Sequence, residues 1–180
     1  MRLHILLRWL SAAQLFSLLI SSVSRKSKGQ KIFRKGSEGL IIYGNSEPRR
    51  LVSEMIKKKR EPHSIMIHGE KGLGKKTLAR WIAAALLCER QTGEPCGICR
   101  TCRMIADGAH PDVMVAKANS NGNYIVDDSI RPIVAEAPVA PNEARMKVYI
   151  IPDLDLSVNT VIQVQNILLK VIEEPPAVSY

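Results

Sequence analysis

Aromatic side chains make up only 4% of this sequence, and none is interleaved with the Lys57-Lys58-Lys59-Arg60 cluster. A basic run without stacking partners reads as a solvated helix end and not as a phosphate-contacting patch for nucleic acid. Cysteine is absent outside residues 88–102, so no disulfide framework staples the rest of the chain. There is no internal repeat, which sets aside solenoid architectures. Acidic residues are scarce at the start: residues 1–60 hold 14 of the 26 Lys and Arg against three acids. The formal charge of +9 therefore belongs to that third, and the rest is near neutral, so the basic isoelectric point says little about partners of the globular part.

What is abundant is Ala, Leu, Ile and Val, the composition of a soluble α/β protein. A chain of 180 residues suffices for one domain with a proper core, or one domain with appendages. Residues 1–36 differ from the remainder. The mostly apolar stretch Leu3–Ile20 follows Arg2 and precedes a serine-rich segment and a basic run from Arg25 to Lys35, the order of a signal peptide or short anchor. His4, Arg8 and Gln14 make it marginal as a membrane span. Two readings stand: a reading frame begun too far upstream, or a membrane anchor formed by residues 1–24.

From Leu40 onward the pattern is orderly. A turn at Gly44-Asn45 and a cap at Ser46-Glu47-Pro48 predict a helix to about Lys59, with Leu51, Val52, Met55 and Ile56 at helical spacing. Further elements are a helix over Thr101–Ala106, a strand at Val113–Ala116 and a helix over Ile125–Ala137 with Pro132 in its first turn. A continuous apolar strand, Met146–Ile151, reads as parallel and interior, and a last helix spans about Val161–Ile172.

The stretch from Ser64 to Leu87 carries the first chemistry. A short apolar run ends in Gly69, Gly72 and Gly74, then Lys75, and turns helical. Glycines allow backbone conformations that bring N–H groups around phosphate oxygens, the helix start adds partial positive charge, and Lys75 reaches the terminal phosphates. The pattern of Gly, four residues, Gly, Lys is that of a phosphate loop, but its hydroxyl position is Lys76 and Thr77 comes one residue late. Successive helical residues point about 100° apart, so Thr77 does not replace a magnesium-ligating hydroxyl at 76. Nucleotide binding through Gly69, Gly72, Gly74, Lys75, Lys76 and Thr77 is the functional reading; a plain glycine turn is its alternative. Pro152 follows the 146–151 strand where such ATPases carry a metal-binding acid, so Mg2+ is doubtful and metal-assisted hydrolysis is impaired at two places.

The second constellation is Cys88, Cys96, Cys99 and Cys102, spaced C-x7-C-x2-C-x2-C. Four thiolates satisfy tetrahedral zinc with no open position, so the site is structural and not catalytic. Two disulfides are the alternative. His110 is read as a turn or buried hydrogen-bonding residue, since four sulfurs complete the shell.

Taken in order, the phosphate-loop helix, the four cysteines, Gly108-Ala109-His110-Pro111-Asp112, Lys147–Ile151 and Asn166–Pro176 resemble the N-terminal AAA+ module of bacterial DNA polymerase III clamp-loader subunits. Lys76, Pro152 and the His-Pro-Asp turn resemble the delta-prime branch, whose ATPase motifs are degenerate; the gamma/tau branch, with a hydroxyl and an Asp-Glu pair, is the alternative. The resemblance implies an α/β AAA+ fold, a parallel sheet flanked by helices, over residues 37–180, with an inserted zinc module at 88–102. It implies a cytoplasmic structural subunit in DNA replication, with ATP as a possible ligand. Its partners would be gamma/tau and delta subunits, and the sliding clamp and primed DNA through the assembled complex. The chain stops at Tyr180, before the family's sensor residues, arginine finger, lid and collar, and the expectation is a fragment.

Overall fold

The computed structural model describes residues 3–7, 40, 42–117, 126–152 and 159–173, which fall into two units, residues 1–110 and 111–180. The first holds β1 (Leu3–Leu7), α1 (Ser46–Lys57), β2 (Ile65–Gly69), α2 (Lys75–Leu87) and α3 (Arg100–Ala106). Its core is α2. Every side chain from Trp81 to Leu87 is buried, the behaviour of a helix that is apolar all round and has neighbours on every side. Helix α1 is amphipathic, burying Pro48, Val52, Ser53 and Ile56. The Arg49 guanidinium lies 5.3 Å from the centre of the Trp81 ring and joins α1 to α2.

The cap of α1 differs from the reading at Ser46. Asn45 is the N-cap, left-handed at φ 50°, and makes no side-chain cap bond. Pro48, third in the helix, has no N–H for a capping oxygen to accept. The Asn45 amide instead reaches the Leu73 carbonyl oxygen at 3.5 Å. At its other end α1 closes as α3 does. Arg60 N donates to Met55 O at 3.0 Å around Lys59 at φ 51°, and Ala109 N donates to Met104 O at 2.8 Å around Gly108 at φ 69°. Both are left-handed helix stops, one with the residue that suits it and one without.

Strand β2 pairs antiparallel with β1, from Leu3 opposite Gly69 to Leu7 opposite Ile65, where a parallel neighbour was expected. Burial along β2 alternates, with Met66 61% exposed, and that is the pattern of an antiparallel sheet with one wet face. The remainder of the 1–36 extension lies outside the described residues. Among the described residues, no helix is long and apolar enough to cross a membrane.

The second unit contains β3 (Val113–Val115), a widened π-type turn at Val126–Ile130, α4 (Arg131–Glu136), β4 (Val148–Ile150) and α5 (Asn159–Glu173). Strands β3 and β4 are parallel, with Val113 opposite Val148, Met114 opposite Tyr149 and Val115 opposite Ile150. The ladder continues through Ala116 N to Ile150 O at 2.9 Å. The helix expected over 125–137 is therefore two pieces. Pro132 lacks an N–H and its ring crowds the carbonyl four residues earlier, so regular α geometry begins only at Arg131. Ala116, Ile130, Ile133, Val164 and Leu168 form the buried core here, with Tyr149 and Ile151 packed against it.

A left-handed lysine costs about 1 kcal/mol relative to glycine at a helix stop. Lys59→Gly should therefore raise stability by about that amount, and Gly108→Ala should lower it by a similar amount, in thermal unfolding of the full chain.

Candidate functional site

The glycine loop spans Glu70–Gly74 between β2 and α2. Gly72 (φ 89°) and Gly74 (φ 76°) are left-handed, and a Cβ at either would meet nothing within 4 Å. Glycine is thus required there by conformation and not by crowding, and the space beside the backbone is open. The Lys75 ammonium folds back over the loop, donating to the Gly69 carbonyl oxygen at 2.7 Å and the Glu70 carbonyl oxygen at 3.0 Å. Lys76 follows on the first turn of α2 and is exposed, while Thr77 is half-buried. Pro152 lies just past β4, and Asp153 and Asp155 fall outside the described residues.

The cysteines converge although they come from three structural settings. Cys88 ends α2, Cys96 sits on the irregular segment that follows, Cys99 caps α3 and Cys102 lies within α3. All four are free thiols, and their sulfurs lie within 4.8 Å of one another, Cys96 to Cys102 at 4.0 Å. Thiolates about 2.3 Å from one tetrahedral ion would stand about 3.8 Å apart, so the donor set fits a metal ion. Backbone amides support the charge: Cys99 N donates to Cys96 Sγ at 3.4 Å and Cys102 N to Cys99 Sγ at 3.3 Å. Burial opposes ionisation of Cys96, but the Ile98 and Cys99 amides outweigh it and bring the thiol down to about 7. Burial keeps Cys99 and Cys102 above the ordinary thiol range.

Two further contacts close the module. The Glu89 carboxylate accepts from Thr101 N at 3.4 Å and Thr101 Oγ1 at 3.2 Å, tying the end of α2 to the start of α3. Gly93 seats closely against α1: a Cβ there would fall 2.6 Å from both Ser53 O and Ser53 Oγ. His110 is buried and stands outside the sulfur group, in line with the expectation for it.

Asp112 is the residue whose role no local signal revealed. It is 1% exposed, and its carboxylate accepts from Asn142 N (2.6 Å), Asn142 Nδ2 (3.1 Å), Glu143 N (2.8 Å) and Ala144 N (2.8 Å). Burial alone would raise its pKa, but the three backbone amides and the Asn142 side chain hold it below the usual carboxylate range. The only hint in the sequence was an acid beside Pro111 at the mouth of a strand; its partners lie 30 residues away. Nearby on β4, burial and the negative charges of Glu136 and Asp112 push the Tyr149 phenol up to about 12.

Compared with known proteins, residues 44–180 match the family described as DNA polymerase III, delta subunit. The chain is 33% identical over 137 residues to DNA polymerase III subunit tau of Bacillus subtilis, covering 75% of this chain and 23% of that protein. It is 33% identical over 127 residues to subunit delta' of Pseudomonas aeruginosa, covering 69% of this chain and 38% of that protein. The match to subunit delta' of Bacillus subtilis is 33% over 132 residues, 72% of this chain and 38% of that one. The chain thus spans well under half the length of these curated relatives.

A carboxylate with a depressed folded pKa contributes stability above its unfolded value, about 3.9, and loses it as pH falls through the folded value. Asp112→Ala should cost about 2 kcal/mol near neutrality by leaving the 142–144 amides unpaired. Denaturant titrations between about pH 6 and about pH 3 should show that difference shrinking on the acid side.

Proposed function

The chain belongs to the family described as DNA polymerase III, delta subunit, and on that premise we propose that it is a delta-prime-like structural subunit of the bacterial clamp loader. In this reading residues 37–180 are a AAA+ P-loop module with degenerate ATPase motifs, working in the cytoplasm on DNA replication. Gamma/tau and delta subunits are its partners, and it reaches the sliding clamp and primed DNA through the complex. The observation that carries the reading is Lys76, an ammonium on the first turn of α2 where a P-loop ATPase needs a magnesium-ligating hydroxyl. A cation there repels the metal instead of holding it, and Pro152 offers no oxygen side chain at the end of β4. Gly69, Gly72, Gly74, Lys75, Lys76 and Thr77 remain a cradle for a nucleotide's phosphates. Lys75 would exchange its two loop carbonyls for phosphate oxygens.

The four cysteines hold a structural zinc ion in this reading. Closed tetrahedral coordination joins the end of α2 to α3, adding metal-binding free energy to a segment otherwise short of regular structure. The second reading, an ATP-hydrolysing gamma/tau-type subunit, draws on the matching 33% identity to a tau subunit.

The two readings separate on turnover. Purified chain with magnesium and ATP should release no phosphate above background, with or without primed DNA, and should add no turnover of its own to that of its partner subunits, while Lys76→Thr with Pro152→Asp tests whether those two positions are responsible. Turnover by the unmodified chain would establish the gamma/tau reading. Metal analysis should find one zinc per chain, lost in Cys102→Ser and displaced by acid, because protons compete for the thiolates. Thermal unfolding should then fall with the metal.

A further inference from the structure

The four sulfurs are close together but not held alike. Cys88 ends α2, Cys99 caps α3 and Cys102 is inside α3, so three are fixed by helices, whereas Cys96 stands on the irregular segment between them. Cys88 and Cys102 are 1% and 0% exposed; Cys96 and Cys99 are half-buried. Cys99 is restrained twice, by the helix it starts and by the Cys102 amide on its sulfur, whereas Cys96 has the Cys99 amide on its sulfur at 3.4 Å but no helix to carry it. Cys96 is followed by Gly97, left-handed at φ 69°, and by Ile98, 49% exposed, so its neighbours turn outward or carry no side chain. Its sulfur lies 4.0 Å from Cys102 Sγ. A disulfide needs about 2.05 Å, so a movement of about 2 Å in the loop would join the two with α3 left intact.

We propose that Cys96 is a thiol-modification site, where a small-molecule disulfide of the oxidised-glutathione class enters the metal centre, and that Cys102 resolves the adduct. The inference rests on the zinc reading above. The Cys96 thiolate attacks one sulfur of the reagent, its S–S bond breaks, and one reagent thiolate leaves. The Cys102 thiolate then attacks the Cys96 sulfur and expels the second reagent thiolate. Two cysteine sulfurs are oxidised by two electrons, the reagent is reduced to two thiols, and Zn2+ passes to solvent because Cys88 and Cys99 alone do not complete a tetrahedral shell. The Cys96–Cys102 disulfide reopens with a thiol reductant, which makes the modification reversible.

The experiment uses the full chain, assayed first for zinc. Oxidised glutathione should release that zinc to a chromophoric chelator, peptide mapping should find Cys96 linked to Cys102, and reductant with added zinc should restore the starting protein. Limiting iodoacetamide should alkylate Cys96 before Cys88, Cys99 or Cys102. Zinc retained under oxidant, a disulfide mapped to another pair, or first alkylation at another cysteine would each overturn the proposal. A chain that carries no zinc removes the metal reading separately, and the order of alkylation in the reduced, metal-free protein still decides for or against Cys96. Cys102→Ser should accumulate the mixed disulfide on Cys96; should that variant fail to fold, the alkylation order in the unmodified chain supports or overturns the assignment by itself.

Discussion

The burial of α2 is the constraint on which the rest of the first unit depends. From Trp81 to Leu87 no position of that helix faces water, so its neighbours are obliged to surround it and its two ends are held in place. Lys75 opens the helix over the glycine loop, and Cys88 closes it at the sulfur cluster. Thirteen residues at a rise of about 1.5 Å place these sites about 20 Å apart on one rigid rod. Each site inherits its precision from packing elsewhere: the loop through Asn45 on Leu73, and the sulfurs through Glu89 on Thr101 and the close seat of Gly93 on Ser53.

The second unit solves a different problem. A parallel pair of strands needs a crossover, and β3 and β4 are joined by one that contains a widened turn, a short helix and a loop. That loop returns to the start of β3, where the Asp112 carboxylate gathers three consecutive amides. Val148 N also donates to Asp112 O at 2.8 Å, so side chain and backbone of one residue set both the approach and the register of β4. A buried charge is tolerated because every bond it receives favours the ionised form.

The four-sulfur cluster shows how residues of one type, gathered within 4.8 Å of one another, can be held unequally. Its chemistry is symmetrical on paper, yet Cys102 is sealed within a helix while Cys96 rests on a loop with amides aimed at its sulfur. Cys99 and Cys102 are carried by a helix and Cys96 by an irregular segment, so the cluster has one side fixed by regular structure and one that is not.

Most helices were legible in the residues. The periodicity of Val52 and Ile56 and the apolar run after Lys75 are local signals, and local signals survive in any tertiary setting. The cysteine spacing likewise announced a cluster, since C-x2-C steps bring sulfurs together within a turn or two of chain. The departures came where a distant partner decided the outcome. Asn45 stands at the cap with its side-chain amide turned to the Leu73 carbonyl oxygen, 28 residues along the chain. β2 gained an antiparallel neighbour from residues 3–7, which no property of β2 names. Gly93 proved to be a packing contact with α1.

By itself, the sequence determined the glycines and lysines of the loop, a lysine at 76 and a proline at 152, and the four sulfurs, because these are questions of which atoms are present. Only the tertiary structure decided which strand pairs with which, which sulfur is held loosely, and that Asp112 anchors a loop 30 residues away. Those outcomes follow from the energy of bringing separated groups together, and no single stretch of chain contains both halves of such an interaction.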